Sequence, residues 1–324
     1  MTNITGDDLF FQGFMAAVRS KIPHKATLAN TIAELLDIDK DAVYRRLRGE
    51  VKFSFSEMAM IAKSLGISLD NIAGIDTEQS KPAKMNIARY SNPHNADYDT
   101  LISYIDLLKT MKDEPDSKIM ESANLFPHAL YLNYENITRF FLFKWNQTSG
   151  YGNAMPFHEI TLPKRLRDLQ KQIWLYTRNF SSTQYVFDSM IFQRLVTDIK
   201  YFARIRLIKE EDVSLMKNEL TELLENMENM AITGKYEETG NEVSFFISDI
   251  DFDTNYSCLE SNNLRLTRIR TFILNSTVTS DEEVFNETSA WIRSLQRMST
   301  LISVSGAKIR SMFFDTQRMI VSEL

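Results

Sequence analysis

The chain has 324 residues, 44% hydrophobic and 25% charged, with only 10 Gly and 7 Pro. That length and balance suit about two globular domains and exclude collagen-like, mucin-like and wholly disordered chains. The net charge of −6, from 37 Lys plus Arg against 43 Asp plus Glu, argues against a protein that wraps nucleic acid over its whole surface. One compact basic element on an acidic body remains compatible with it. No stretch is long and apolar enough to predict a membrane-spanning helix, so no membrane partner is expected. The opening MTNITGDDLFFQGF has no basic n-region and does not read as a secretory signal. Cys258 is the single cysteine, which leaves neither an intramolecular disulfide nor a Cys-based zinc site. A cytoplasmic location is expected.

In chain order, residues 1–75 hold short apolar-periodic segments separated by compact turns, with Asp8–Lys21 as the first helix. In TLANTIAELL, Leu28, Ile32, Leu35 and Leu36 form one apolar face, with Thr27 as the expected cap. Asp37-Ile38-Asp39 breaks the helix, and Asp39 is placed to cap the next one. That helix, Lys40–Arg48, ends at Gly49. Its Ala42 and Val43 are expected inward, and Lys40, Tyr44, Arg45 and Arg48 outward. Ser54-Phe55-Ser56-Glu57 is a capping box, with Phe53 and Met58 flanking it as a hydrophobic staple. Its helix is expected to close at Gly66, and Ser68 to cap a last short helix through Ile72.

Residues 76–97 are polar, carry Pro82 and Pro93, and read as a linker or linker plus strand. Residues 98–324 are predicted to be mostly helical. The expected helices are Asp97–Met111, Asn133–Trp145, Lys164–Arg178, Thr183–Arg206, Glu210–Ala231, Asp281–Arg297 and Ala307–Val321. The period changes over Val243–Phe252 and Leu264–Leu274, which read as strands. The expected fold class is therefore mainly α: an N-terminal five-helix bundle, then a larger, mostly helical α+β domain with a small strand region near 243–274.

The segment 27–72 resembles the lambda-repressor-like, XRE-type helix-turn-helix family. Ile32-Ala33 match the first helix of the motif, Ile38 the turn, and Val43-Tyr44-Arg45 with Gly49 the second helix. IAKSLGISLDNI (61–72) is similar to the family's last two helices. There are departures: Asp37 stands where Gly is usual, Ala29 where a phosphate-contacting Gln is common, and Arg46 where an apolar residue or Trp is frequent. The resemblance implies double-stranded DNA as partner, with helix 40–48 in the major groove. Arg45 and Arg48 then suit guanine O6 and N7 or phosphate, and Lys40 and Lys52 suit phosphates. Tyr44 suits a thymine methyl or a phosphate, and Asp41 can accept from cytosine. Outside this helix order, Arg45, Arg46 and Arg48 would read simply as a solvated basic face.

Other constellations carry less. Asp249, Asp251, Asp253, Asn255 and Glu260 fit calcium-loop positions, but Thr254 stands where that loop needs Gly, and a strand precedes it. The four His, at 24, 94, 128 and 158, lack metal-ligand spacing. No phosphate loop or nucleophile elbow occurs. Ser303–Gly306 before a helix reads as a cap more readily than as an anion site, and the aromatic run Phe126–Trp145 as core more readily than as a pocket. No catalytic motif, metal or cofactor is called for, so a non-enzyme is expected. Residues 98–324 are expected to dimerise, so that two helices read a two-fold site, and to sense an unidentified small-molecule effector. The Leu and Met stripe of Glu210–Ala231 is one candidate dimer surface, although taken alone it reads slightly more readily as packing inside one monomer. The alternative is an adaptor that uses the helical bundle on another protein, without an operator of its own.

Overall fold

In a computed structural model the described residues are 6–67, 69–72, 85–88, 98–148, 155–262 and 264–324. The chain divides into two compact units, Met1–Pro82 and Ala83–Leu324. Ser68 and most of the expected linker 76–97 lie outside the described residues.

The first unit is helical, with α1 (Gly6–Lys21), α2 (Lys25–Leu36), α3 (Lys40–Leu47), α4 (Phe55–Leu65) and α5 (Leu69–Ile72). Its core takes Phe14 and Val18 from α1, Leu28 and Ile32 from α2, Val43 from α3, Phe53 before α4, and Ile61 and Ala62 within it. The i, i+4 pairs on α1 and α2 lie on single faces, as the 3.6-residue period requires. The expected capping box forms. Ser54 Oγ accepts from the Glu57 N–H at 3.2 Å, and Glu57 Oε2 accepts from the Ser54 N–H at 2.7 Å. Gly66 closes α4 in the left-handed conformation, φ 65°.

Two expected caps differ. Helix α2 starts at Lys25 behind His24, so Thr27 lies inside it, and Asp39 precedes α3 without a side-chain cap bond. Asp37 adopts φ 50°, ψ 50° and donates its N–H to Ala33 O, so the turn that usually takes Gly forms around an Asp.

The second unit corrects the expected architecture. It is not a mostly helical domain with a small strand region near 243–274. An eight-stranded mixed sheet runs through it, in the order β1-β7-β6-β5-β2-β3-β4-β8. The strands are β1 (Asn86–Ala88), β2 (Lys118–Ala123), β3 (Ser182–Asp188), β4 (Glu242–Ser248), β5 (Tyr256–Glu260), β6 (Arg265–Thr271), β7 (Asn275–Thr279) and β8 (Thr300–Leu301). Strands β2, β3 and β4 run parallel, with Ile119 opposite Thr183 and Thr183 opposite Val243. Strands β5, β6, β7 and β1 add an antiparallel meander on the other side of β2.

Parallel neighbours need long crossovers, and helices supply them. Between β2 and β3 come α6's successors α7 (His128–Tyr131), α8 (Glu135–Thr148) and α9 (Lys164–Arg178), where α6 is Asp99–Lys112 ahead of β2. Between β3 and β4 come α10 (Ile191–Arg204) and α11 (Glu210–Thr233), and the chain ends with α12 (Glu282–Arg297) and α13 (Ala307–Ser322). The expected helix Thr183–Arg206 is thus a strand followed by a helix. Thr183, Tyr185, Val186 and Phe187 are fully buried, which is the pattern of a strand covered on both faces.

Side chains sort by strand parity. Tyr185, Phe187, Val243, Phe245 and Ile247 join the large cluster with α8, α10, α11 and α13. Met120, Val186 and Cys258 pack on the opposite face against Phe285, Ile292 and Leu295 of α12. Glu219 on α11 fixes the start of α8, accepting from the Asn136 and Ile137 N–H groups at 3.0 and 2.9 Å. The Leu and Met stripe of α11 (Met216, Leu220, Leu223, Leu224 and Met227) is buried in the same core, so it is spent within one chain.

Ser54→Ala should remove the α4 cap and cost about 1 kcal/mol. A thermal melt of residues 1–82 checks this, and an unchanged midpoint would contradict the capping box. Burial raises the pKa of Glu57, but hydrogen bonds from Ser54 and Arg46 outweigh it and hold the carboxyl below its usual value. Its contribution to stability is therefore present above the ordinary carboxylate range and is lost as the pH falls through the lowered value. Glu57→Gln should flatten the acid side of the stability profile of the same fragment.

Candidate nucleic-acid interface

Helix α3 has eight residues, and its orientation comes from one buried side chain, Val43, at 0% exposure. On the outward side, Asp41, Arg45 and Arg48 follow at i, i+4 and i+7, all exposed, with Lys40 exposed at the helix start. Tyr44 was expected to look outward. It is half-buried and packs against the edge of the core, which leaves only part of the ring for a ligand. Lys52 is exposed on the segment between α3 and α4.

Arg46 takes a different part. Its guanidinium donates to Glu57 Oε1 at 2.9 Å and to Ala42 O at 3.2 Å, and lies 5.9 Å from the Phe53 ring centroid. It ties α3 to the capping box of α4 and covers the core edge. On the other side, Arg19 of α1 donates to Leu47 O at 3.2 Å and satisfies a carbonyl at the end of α3. The helix is therefore held at both flanks.

The residue that sequence reasoning missed is Glu50. Gly49 adopts φ 78°, and the Glu50 N–H then bonds back to Arg45 O at 2.9 Å. This turn folds the Glu50 carboxylate against the basic face. It accepts two bonds from Arg48, from Nε at 2.6 Å and from Nη2 at 3.2 Å, and lies 3.7 Å from Arg45 Nε. The Arg48 hydrogen bond, with the Arg45 charge behind it, holds the Glu50 carboxyl below its ordinary pKa. The available signal was local: a Gly after the helix, then an acid within reach of two Arg. Glu50 fills the same guanidinium fork that a phosphate or a guanine edge would use. The pair is exposed, so opening it costs little. Asp39 and Asp41, both exposed at the start of α3, add further negative charge near this face.

The other constellations have structural employment. Asn255 is buried. It accepts from the Asn124 and Leu125 N–H groups at 3.1 and 3.0 Å, and donates to Glu121 at 3.1 Å. Glu260 pairs with Arg265 at 2.9 Å, and no metal-holding cluster occurs among the described residues. The Ser303 hydroxyl accepts from the Phe245 N–H at 2.8 Å. No helix among the described residues is long and apolar enough to cross a membrane.

Compared with known proteins, residues 17–94 match the family described as the BetR domain, a DNA-binding domain of helix-turn-helix type. The match covers α2, α3 and α4 with the turns between them, and so supports a DNA-binding regulatory role. No curated protein and no solved structure matches the chain.

Glu50→Gln should free Arg45 and Arg48 and remove a charge that repels phosphate. Affinity for a nonspecific duplex should rise about two- to fivefold, with a steeper fall on adding salt. Fluorescence anisotropy at low salt checks this. Weaker binding by the variant would contradict the competition between Glu50 and DNA.

Proposed function

We propose that the protein is a cytoplasmic, sequence-specific transcriptional regulator whose DNA-binding unit is of the lambda-repressor-like, XRE type. The observation that carries this reading is the outward row of Asp41 and Arg45 on α3 and Arg48 at its C-terminal cap, inside the matched region and backed by buried Val43. In the major groove, Arg45 and Arg48 exchange Glu50 for guanine or phosphate. Lys40 and Lys52 meet phosphates, Asp41 accepts from cytosine, and the exposed edge of Tyr44 meets a thymine methyl or a phosphate.

One short helix reads only a few base pairs, and an acidic protein gains little general attraction to DNA. Specific affinity therefore calls for two copies on a two-fold site, and we place the homodimer contact in residues 98–324. The α11 stripe is buried, so it does not supply this contact. Helix α13 offers Ile309, Met312 and Met319, which are 45%, 60% and 67% exposed. The same region is read as the sensor of a small-molecule effector.

Genome-wide capture of DNA fragments with the purified protein tests the regulator. It should return a short, enriched, two-fold symmetric sequence. Arg45→Ala and Arg48→Ala should each weaken binding to that sequence about tenfold or more, without loss of folding. No enrichment at low salt would instead favour an adaptor that uses the bundle on another protein. Light scattering should give a dimer for the full chain and a monomer for residues 1–82. A monomeric full chain at micromolar concentration would contradict the dimer.

A further inference from the structure

The second unit contains a cavity of about 460 Å³, within the size range of small-molecule sites. Helices α6, α8 and α9 wall it with Leu101, Leu107, Leu142 and Ile173, and Val278 of β7 faces them. Most of this lining is apolar. Among its polar lining residues are His128 and Tyr131 from α7 and Arg268 from β6.

Those polar groups are incompletely matched by the protein. The Tyr131 hydroxyl belongs to a side chain that is 1% exposed; it makes no hydrogen bond of good geometry among the described residues, although the Arg270 guanidinium lies close enough to interact with it. His128 Nε2, also buried, has no hydrogen-bond partner among the described residues, and the two rings meet edge to face at 5.7 Å. Arg268 donates to Tyr104 Oη at 3.3 Å, and its nearest carboxylate oxygen, on Glu121, is 3.9 Å away. Period-two alternation on β6 puts Arg270 on the same face. Arg270 donates to the carbonyls of Ile273 and Phe126, each at 2.6 Å, while its Nη2 is buried and unpartnered.

Buried polar atoms almost always have partners, and buried charges are almost always paired. Here two guanidinium groups face one buried carboxylate, Glu121, which also accepts from Asn255 at 3.1 Å. Among the described residues no second buried carboxylate faces them. Burial, with Arg270 and Arg268 nearby, pushes His128 well below its ordinary pKa, so the imidazole stays neutral and adds a donor or acceptor rather than a further charge.

We propose that this cavity binds a small organic monocarboxylate, with its apolar body against the leucine-lined helices and its carboxylate on Arg268, the Tyr131 hydroxyl and His128. As the effector of the regulator, the ligand rests on the function proposed above. As a binding event it does not, so the test is made without DNA. Strand β1 and helix α6, which carry the lining residues Asn86 and Asp99, flank residues 89–98 in the chain.

Isothermal titration calorimetry on the full chain, with a panel of C4–C12 alkyl and aryl monocarboxylates and the matching primary alcohols, tests the site. At least one carboxylate should bind in the micromolar range, and its alcohol about tenfold more weakly or not at all. Tyr131→Phe removes a hydroxyl that makes no well-formed hydrogen bond within the protein, so the ligand-free melting temperature should change little while carboxylate affinity falls about tenfold. Arg268→Gln should abolish binding. If that variant fails to fold for want of a partner to Glu121, Tyr131→Phe together with the carboxylate–alcohol comparison decides. No binding by any panel member at millimolar concentration, equal binding of acid and alcohol, or undiminished affinity in Tyr131→Phe would overturn the proposal. Carboxylate binding without any operator would leave the site standing and remove the regulator.

Discussion

Everything proposed for the N-terminal unit depends on the burial of Val43. An eight-residue helix is too short to persist alone in water, since nucleation is costly and few hydrogen bonds follow it. Its stability and its direction must come from packing. Val43 against Ile32 and Ile61 supplies that anchor, with Arg46 bonded toward α4 and Arg19 bonded onto the end of the helix. Once that face is fixed inward, the 3.6-residue period fixes Asp41, Arg45 and Arg48 outward. Glu50 then sets the resting state of that surface, because an arginine fork already holding a carboxylate meets DNA by exchange.

Where the sequence was legible, the signals were local. Ser54 and Glu57 are three residues apart, Gly66 ends an apolar period, and the capped helix between them forms as read. Helix α9 spans Lys164–Arg178 as expected, because its apolar residues keep one stripe among charges. The failures came where tertiary contacts decide. Strand β2 contains Lys118, Met120 and Glu121, a poor strand composition, and pairs only with segments more than 50 residues away. Strand β3 is buried on both faces and runs almost directly into α10, so its apolar run read as the first turns of that helix. Glu50 was passed over because the αL turn at Gly49 that brings it back onto Arg48 has no periodic signature.

The same sheet explains why a polar cavity can exist in so aromatic a core. Alternation along β6 sends Leu266, Arg268 and Arg270 to the side of α6 and α9, and Thr267 and Ile269 to the other. The aromatic run Phe126–Trp145 is mostly core, with Phe140, Phe141 and Phe143 packed ring on ring, but Tyr131 also lines the cavity. Burying two arginines in a small domain is costly unless something meets their charge. Glu121 meets it in part, and its own position on β2 is held by Asn255. Sequence alone gave no warning of this, since Arg268 and Arg270 lie 147 and more residues from Glu121 and come together only when the meander closes beside β2.

The central claim is that α3 is the surface that meets DNA, and amide chemical-shift mapping tests it most directly. Residues 1–82, labelled with nitrogen-15, are titrated with the duplex selected by genomic capture. The account predicts the largest shifts at the amides of Lys40–Arg48 and of Glu50 and Lys52, with α1 nearly silent. Shifts concentrated on α1, or none at α3 under saturating DNA, would contradict it.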